Sequence, residues 1–245
     1  DLLSWRIRAA RALIVPALLT PARRRGVEIL DDPAVDPEIM RRAMKDVARA
    51  NVMFGGLRAA ITEIEPIIAG LGDRATLLDV GTGYGDIAAS ARKVARARGT
   101  ELTTIGFDMS LPLVTAKHGE NELAVRGDAL ALPFRDKSID IVLASQLMHH
   151  FPRDSAITMA REMNRVARRR VVICDLRRSF IAAAGFWIAS FPLAFHPVTR
   201  HDGVVSVMRG FTPLELADIV ESATGLRVPA TCRLGFRLTT SWAPQ

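Results

Sequence analysis

Short, nearly continuous apolar runs alternate along this chain with stretches in which apolar residues recur every three or four positions. Val125–Leu132 brings Asp128 to a strand end, and the runs Leu77–Val80, Leu102–Phe107, Ser138–Ser145 and Val171–Asp175 lack the polar alternation of an exposed strand. They predict strands buried on both faces. Between them, helical spacing is read near Ile87–Arg98, after Ser110 from Leu111 to Gly119, and over Arg153–Ala167 with Asp154 or Ser155 as cap. Before the first strand, Asp36 caps a helix from Pro37 to Phe54, Gly55-Gly56 interrupts it, and Ala59–Ile68 resumes. Near the end, Thr212 caps Pro213–Thr224 and Gly225 stops it. Strand–helix alternation of this kind specifies an α/β fold with a doubly wound, mostly parallel sheet. The predicted division is a helical extension over 1–72 and a domain over 73–245 with an insertion near 179–210.

The junction after the first strand carries the chemistry. In Leu77–Ala88, LLDVGTGYGDIA, Asp79 precedes Gly81, Gly83 and Gly85, and a helix follows. Glycine there tolerates positive φ and lets a ligand approach the main chain, at the carboxyl edge of the sheet. The spacing differs from the dinucleotide fingerprint, whose third glycine falls three residues after the second. An acid ahead of the first glycine would also repel a diphosphate. Asp108, at the end of the second strand, stands where doubly wound folds read ribose hydroxyls. With these motifs the chain resembles the class I S-adenosylmethionine-dependent methyltransferases. The resemblance implies that Asp79 serves the positively charged end of the cofactor and that Asp108 and Met109 meet its ribose. It further implies that Asp128 and Ala129 meet the adenine, with Ser145 at the fourth strand's end and Arg58 as a candidate for the cofactor carboxylate. It implies antiparallel final strands between Arg227 and Thr240. Base N-methylating relatives carry an Asn/Asp-Pro-Pro-aromatic signature after the fourth strand, where this chain reads Ser145-Gln146-Leu147-Met148.

Composition changes this picture little. The 245 residues are 49% apolar, enough for a full core. The net charge of +7 raises nucleic acid as a partner, but Arg23–Arg25 and Arg168–Arg170 are read as solvated runs because few aromatics interleave with them. Cys174 and Cys232 lack metal-ligand spacing and are read as buried thiols, which suits a reducing cytoplasm; no metal site is expected. Leu2, Trp5, Ile7, Leu13, Ile14, Leu18 and Leu19 alternate with arginines. They read as an amphipathic helix packed on the domain or on a second copy of the chain, with a membrane surface as the alternative.

Methyl transfer needs an aligned acceptor and a route for its proton. After the fourth and fifth strands the chain offers Gln146, Met148, His149 and His150, then Asp175 and Arg177. The histidine pair is the first candidate base, since imidazole titrates near neutrality. His201 beside Asp202 is the second, with a polar turn closed by Gly203 as the other reading. Phe180–Val198 contains no charge and reads as a cap whose Phe186 and Trp187 line an apolar acceptor pocket. The segments DDPAVDP, DLRRS, TRHDG and RGFTPLEL resemble bacterial methyltransferases associated with type III polyketide synthases and phenolic lipids. That resemblance implies O-methylation of an apolar phenolic acceptor, with C-methylation of a quinone precursor and a non-catalytic cofactor-binding subunit as the other readings.

Overall fold

The computed structural model describes residues 20–32, 34–115 and 123–245, so the amphipathic segment before residue 20 and the predicted end of the helix after Ser110 lie outside the described residues. In chain order the elements are α1 (Pro37–Met53), α2 (Gly56–Ile68), β1 (Arg74–Val80), α3 (Asp86–Ala97), β2 (Glu101–Asp108), α4 (Leu111–Thr115), β3 (Leu123–Arg126) and β4 (Ile139–Ser145). There follow α5 (Arg153–Val166), β5 (Ala167–Leu176), α6 (Phe180–Ala189), α7 (Pro197–Arg209), α8 (Pro213–Thr224), β6 (Thr231–Arg233) and β7 (Arg237–Trp242). The strands form one sheet in the order β3-β2-β1-β4-β5-β7-β6. β1 to β5 run parallel, and the tail adds β7 and β6 antiparallel. The chain reverses direction across the sheet at β1, so ligands are expected beyond the carboxyl ends near β1 and β4.

The strand period of two sorts neighbouring residues onto opposite faces. Leu78, Val80, Val142, Ala144 and Ile173 pack under α5 and α8 against Met159, Met163, Leu216 and Ile219. Leu77, Ile141, Leu143, Val172 and Cys174 pack under α2 and α3 against Ile64, Ile68, Ala91 and Ala95. Both faces are covered over the central strands β1, β4 and β5, which is why these read as apolar runs, whereas the edge strand β3 is exposed.

Helix boundaries follow the local chemistry. Asp36 caps α1 by accepting from Glu38 N and Ile39 N, and Thr212 with Glu215 forms a capping box on α8. Pro152, with no side-chain cap, precedes α5, so Asp154 and Ser155 lie inside the helix instead of capping it. The insertion is two helices, and the run Thr199–Gly203 belongs to α7 instead of forming a turn. No helix among the described residues is long and apolar enough to cross a membrane.

Arg178, at the exit of β5, ties the insertion to the rest. Its guanidinium pairs with Glu215 on α8 at 2.9 Å and donates to the carbonyls of Pro21 and Gly210, each at 2.7 Å. Arg178→Ala leaves those carbonyls buried without a donor, and is expected to cost about 3 kcal/mol in urea unfolding monitored by circular dichroism.

Candidate active site

β1 delivers the chain to the carboxyl edge, and Gly81, Gly83 and Gly85 then turn it with φ of 74°, 54° and 75°. A Cβ on Gly81 would sit 2.9 Å from Leu147, so glycine is required there on steric as well as conformational grounds. The amides of Gly81 and Thr82 both donate to the Phe107 carbonyl and hold the loop against β2. Asp108 ends β2; its Oδ2 accepts from Gly83 N at 3.3 Å and its Oδ1 from Ser110 N at 2.9 Å. Asp79 is buried beneath the loop and accepts from the Thr82 hydroxyl at 3.0 Å. Asp86 opens α3, and its Oδ2 is buried without a partner.

These carboxylates raise one another's cost of ionisation. Burial, opposed by the Thr82 hydrogen bond and reinforced by the charges of Asp86 and Asp108, pushes Asp79 up to about 7. Burial also raises Asp86 and Asp108, against hydrogen bonds from neighbouring amides. A loop with this charge repels a phosphate and attracts a cation. Beyond it, Asp128 accepts from Leu130 N at 2.9 Å, Ala129 is buried against the core, and Met109 is exposed.

At the tip of β4, Ser145 is buried with its hydroxyl unpartnered, and Gln146, at a φ of 52°, donates to Asn51 of α1. A 3-10 turn, Met148–His150, then sets two imidazoles 4.4 Å apart. His149 is 3% exposed; its Nδ1 lies 2.7 Å from Asp175 Oδ1 and its backbone amide donates to Asp175 Oδ2 at 3.1 Å. Asp175 also accepts from Leu176 N at 2.7 Å. Burial would raise this carboxyl, but the charge and hydrogen bond of His149 outweigh it and hold the group below the usual carboxylate range. The ionised acid fixes the proton of a neutral His149 on Nδ1 and leaves Nε2 as the basic atom. That Nε2 is buried with no partner, 3.9 Å from Glu28.

His150 faces Asp31 through Nδ1 at 3.1 Å and Glu28 through Nε2 at 3.9 Å. Burial lowers its pKa, but Asp31 and Glu28 outweigh that and raise it. Arg209 reaches Glu28 and Asp31, each at 3.0 Å. A cavity of about 290 Å³ opens beside the pair, lined by Arg23, Arg24, Arg25, His149, His150 and Arg209 among others.

The residues anticipated for the site divide accordingly. The glycines, Asp79, Asp108, Ser145, Gln146, His149, His150 and Asp175 gather along the carboxyl edge. Met148 turns into the core, because the 3-10 turn points it away from the cleft and under α5. His201 lies on the exposed side of α7, bonded to Asp202, whose oxygens accept from the Ile29 and Leu30 amides. Asp202 thus anchors the segment carrying Glu28. Phe186 packs on Phe54 and Phe195, and Trp187 is 50% exposed against Phe191, so neither lines the cavity by the histidines. Arg177 stacks over Phe236, and Arg58 sits in the first turn of α2. Sequence reasoning missed Glu28, Asp31, Asn51, Asp86, Arg209 and Arg237. Of these, only Asp86, adjoining the glycine loop, carried a local signal.

Residues 78–174 match the family described as methyltransferase domain. An uncharacterised methyltransferase of Mycobacterium avium (strain 104) is 40% identical over 104 residues, which are 41% of this chain and 39% of that protein. A second, from Mycolicibacterium paratuberculosis (strain ATCC BAA-968 / K-10), is 39% identical over 104 residues, again 41% of this chain and 39% of the relative's length. A SAM-dependent methyltransferase from Aquifex aeolicus superposes with a TM-score of 0.54 at 17% identity, covering 86% of this chain and 99% of its own. Magnesium protoporphyrin IX methyltransferase from Synechocystis PCC 6803, solved with bound SAM, gives 0.52 at 13% identity, covering 87% and 100%. At such identities the structural likeness is one of fold: a seven-stranded, mostly parallel Rossmann-like sheet of the kind these methyltransferases share.

The acidic loop is expected to lower the stability of the ligand-free protein. An acid whose folded pKa lies above its unfolded value destabilises increasingly as pH rises between the two, here from about 4 to about 7. Asp79→Asn removes that dependence and keeps a partner for Thr82. Chemical denaturation of the ligand-free protein should find the variant equal to wild type near pH 4 and more stable at pH 8, by up to about 4 kcal/mol.

Proposed function

We propose that this chain transfers the methyl group of S-adenosylmethionine to a phenolic hydroxyl of a small-molecule acceptor. The observation that carries the chemistry is His149: buried, held through Nδ1 by an ionised Asp175, and presenting an unpartnered Nε2 beside the cavity. The acidic glycine loop supports the cofactor, because a sulfonium and an ammonium relieve the mutual repulsion of Asp79, Asp86 and Asp108.

When bound, S-adenosylmethionine supplies an electrophilic methyl group on sulfur, and in-line displacement leaves a neutral thioether. Asp108 accepts hydrogen bonds from the ribose hydroxyls, and Asp128 accepts from the adenine amino group. His149 takes the phenolic proton at Nε2. Asp175 keeps the Nδ1 proton and balances the imidazolium that forms. Arg23, Arg24 and Arg25 bring positive charge to the cavity, which favours the phenolate over the phenol. The acceptor's ring is therefore placed at the histidine cavity, not against α6.

The test is transfer of labelled methyl from S-adenosylmethionine into a lipid-soluble extract of the producing cells, with product identification by mass spectrometry and NMR. An aryl methyl ether is expected; label on a ring carbon would instead place the reaction with quinone-type C-methylation. His149→Ala should lower kcat by about 10²–10⁴ with S-adenosylhomocysteine affinity unchanged, and Asp175→Asn should follow it. Full turnover by His149→Ala would remove the imidazole from the reaction.

A further inference from the structure

Three arginines are buried among the described residues, and two of them have acids: Arg178 pairs with Glu215, and Arg209 with Glu28 and Asp31. Arg237 has none. It is 6% exposed, its Nε is buried without a partner, and its guanidinium forms no ion pair with any described residue. The acid closest in electrostatic terms, Asp175, is already committed to His149 and to the Leu176 amide. An unpaired buried guanidinium is costly enough to need a reason.

Its placement supplies one. Gly235, at the tip of the β6–β7 hairpin, lies so close to the Phe54 carbonyl that a Cβ would overlap it, and Gly55 faces the Leu234 carbonyl in the same way. The hairpin is thereby pressed onto the joint between α1 and α2. At that joint a Cβ on Gly56 would sit 2.7 Å from Asn51 Oδ1, 3.2 Å from Gln146 Nε2 and 3.3 Å from Arg237 Nε. The bare glycine lets a guanidinium, a side-chain amide and the start of a helix converge. That helix has no side-chain cap, so its first amides are free to donate. The Asn51 side chain lies close enough to Asp86 at the head of α3 to lower that acid's pKa against the burial that raises it, which puts the cluster beside the glycine loop.

We infer that Arg237, with Gln146 and the first turn of α2, binds a small-molecule carboxylate within the active site. One guanidinium balances one negative charge, whereas a phosphate dianion would leave charge uncompensated next to Asp86. Two carboxylates fit this chemistry: that on the methionyl tail of the cofactor, and an acid group on the acceptor. The assignment of either source rests on the methyl-transfer reading above; the anion site itself rests on Arg237.

The experiment is isothermal titration of wild type and Arg237→Met with S-adenosylhomocysteine, with 5′-methylthioadenosine, which lacks the amino-acid tail, and with 2,4-dihydroxybenzoate and its methyl ester. Removing an unpaired buried charge should leave the melting temperature of the ligand-free protein unchanged or higher, so lost binding would not reflect unfolding. At least tenfold weaker S-adenosylhomocysteine binding with unaltered 5′-methylthioadenosine binding assigns the cofactor carboxylate. At least tenfold weaker 2,4-dihydroxybenzoate binding with an unaltered ester assigns the acceptor. Failure of wild type to bind either nucleoside would overturn the methyl-transfer reading, while the benzoate pair would still report on Arg237. Equal affinities of both proteins for every ligand, or equal losses for the charged and uncharged member of each pair, would overturn the carboxylate site.

Discussion

A single buried carboxylate organises the histidine end of the sheet's carboxyl edge. Asp175 sits near the end of β5, wholly enclosed, and spends its oxygens on the His149 ring, the His149 amide and the Leu176 amide. Those bonds fix the 3-10 turn after β4 to the neighbouring strand. They orient one imidazole and hold the proton of its neutral form on Nδ1, the nitrogen facing Asp175. The adjoining sheet edge then has an anchored wall, against which the segment around Glu28 and the helices of the insertion are laid. Without an ionised Asp175 the turn would lose both its backbone anchor and its tautomer.

The parts legible in the chain were those encoded locally. Apolar runs, the Asp36 and Thr212 caps and the alternating glycines each state their conformation within a few residues, and the sheet formed as they specify. The pairing of His149 with Asp175 joins residues at the ends of adjacent strands, where topology alone brings side chains together. What was not legible depends on contacts between distant segments. Glu28 reaches the histidines because α7 holds it, and Arg237 reaches Gly56 because two glycine-bearing turns press together. The uncharged run Phe180–Val198 was misleading for a related reason. Its composition records low polarity, but the direction in which Phe186 and Trp187 point is set by Phe54, Phe195 and Phe191.

The two halves of the site carry opposite fields. The glycine loop concentrates acids, and the cavity beside the histidines concentrates arginines, with Arg237 near the boundary. On the proposed reading, a cationic donor and an acceptor that becomes anionic are drawn to different ends of the same edge. The acidic half is costly while empty, since Asp79 and its neighbouring acids are buried together, and a ligand of opposite sign relieves it.

Part of the wall of the cavity beside the histidines comes from two stretches lying on either side of residues 78–174 in the sequence. Asp202 accepts from Ile29 and Leu30, Ser206 donates to Glu28, and Arg209 pairs with Glu28 and Asp31. Neither stretch belongs to the segment that matches the methyltransferase family. On the proposed reading, acceptor preference diverges while the cofactor side stays fixed only if both stretches change in concert. A chimera that exchanges the insertion between relatives without its N-terminal counterpart would inherit mismatched hydrogen bonds along the whole seam, and the unit of exchange is the pair.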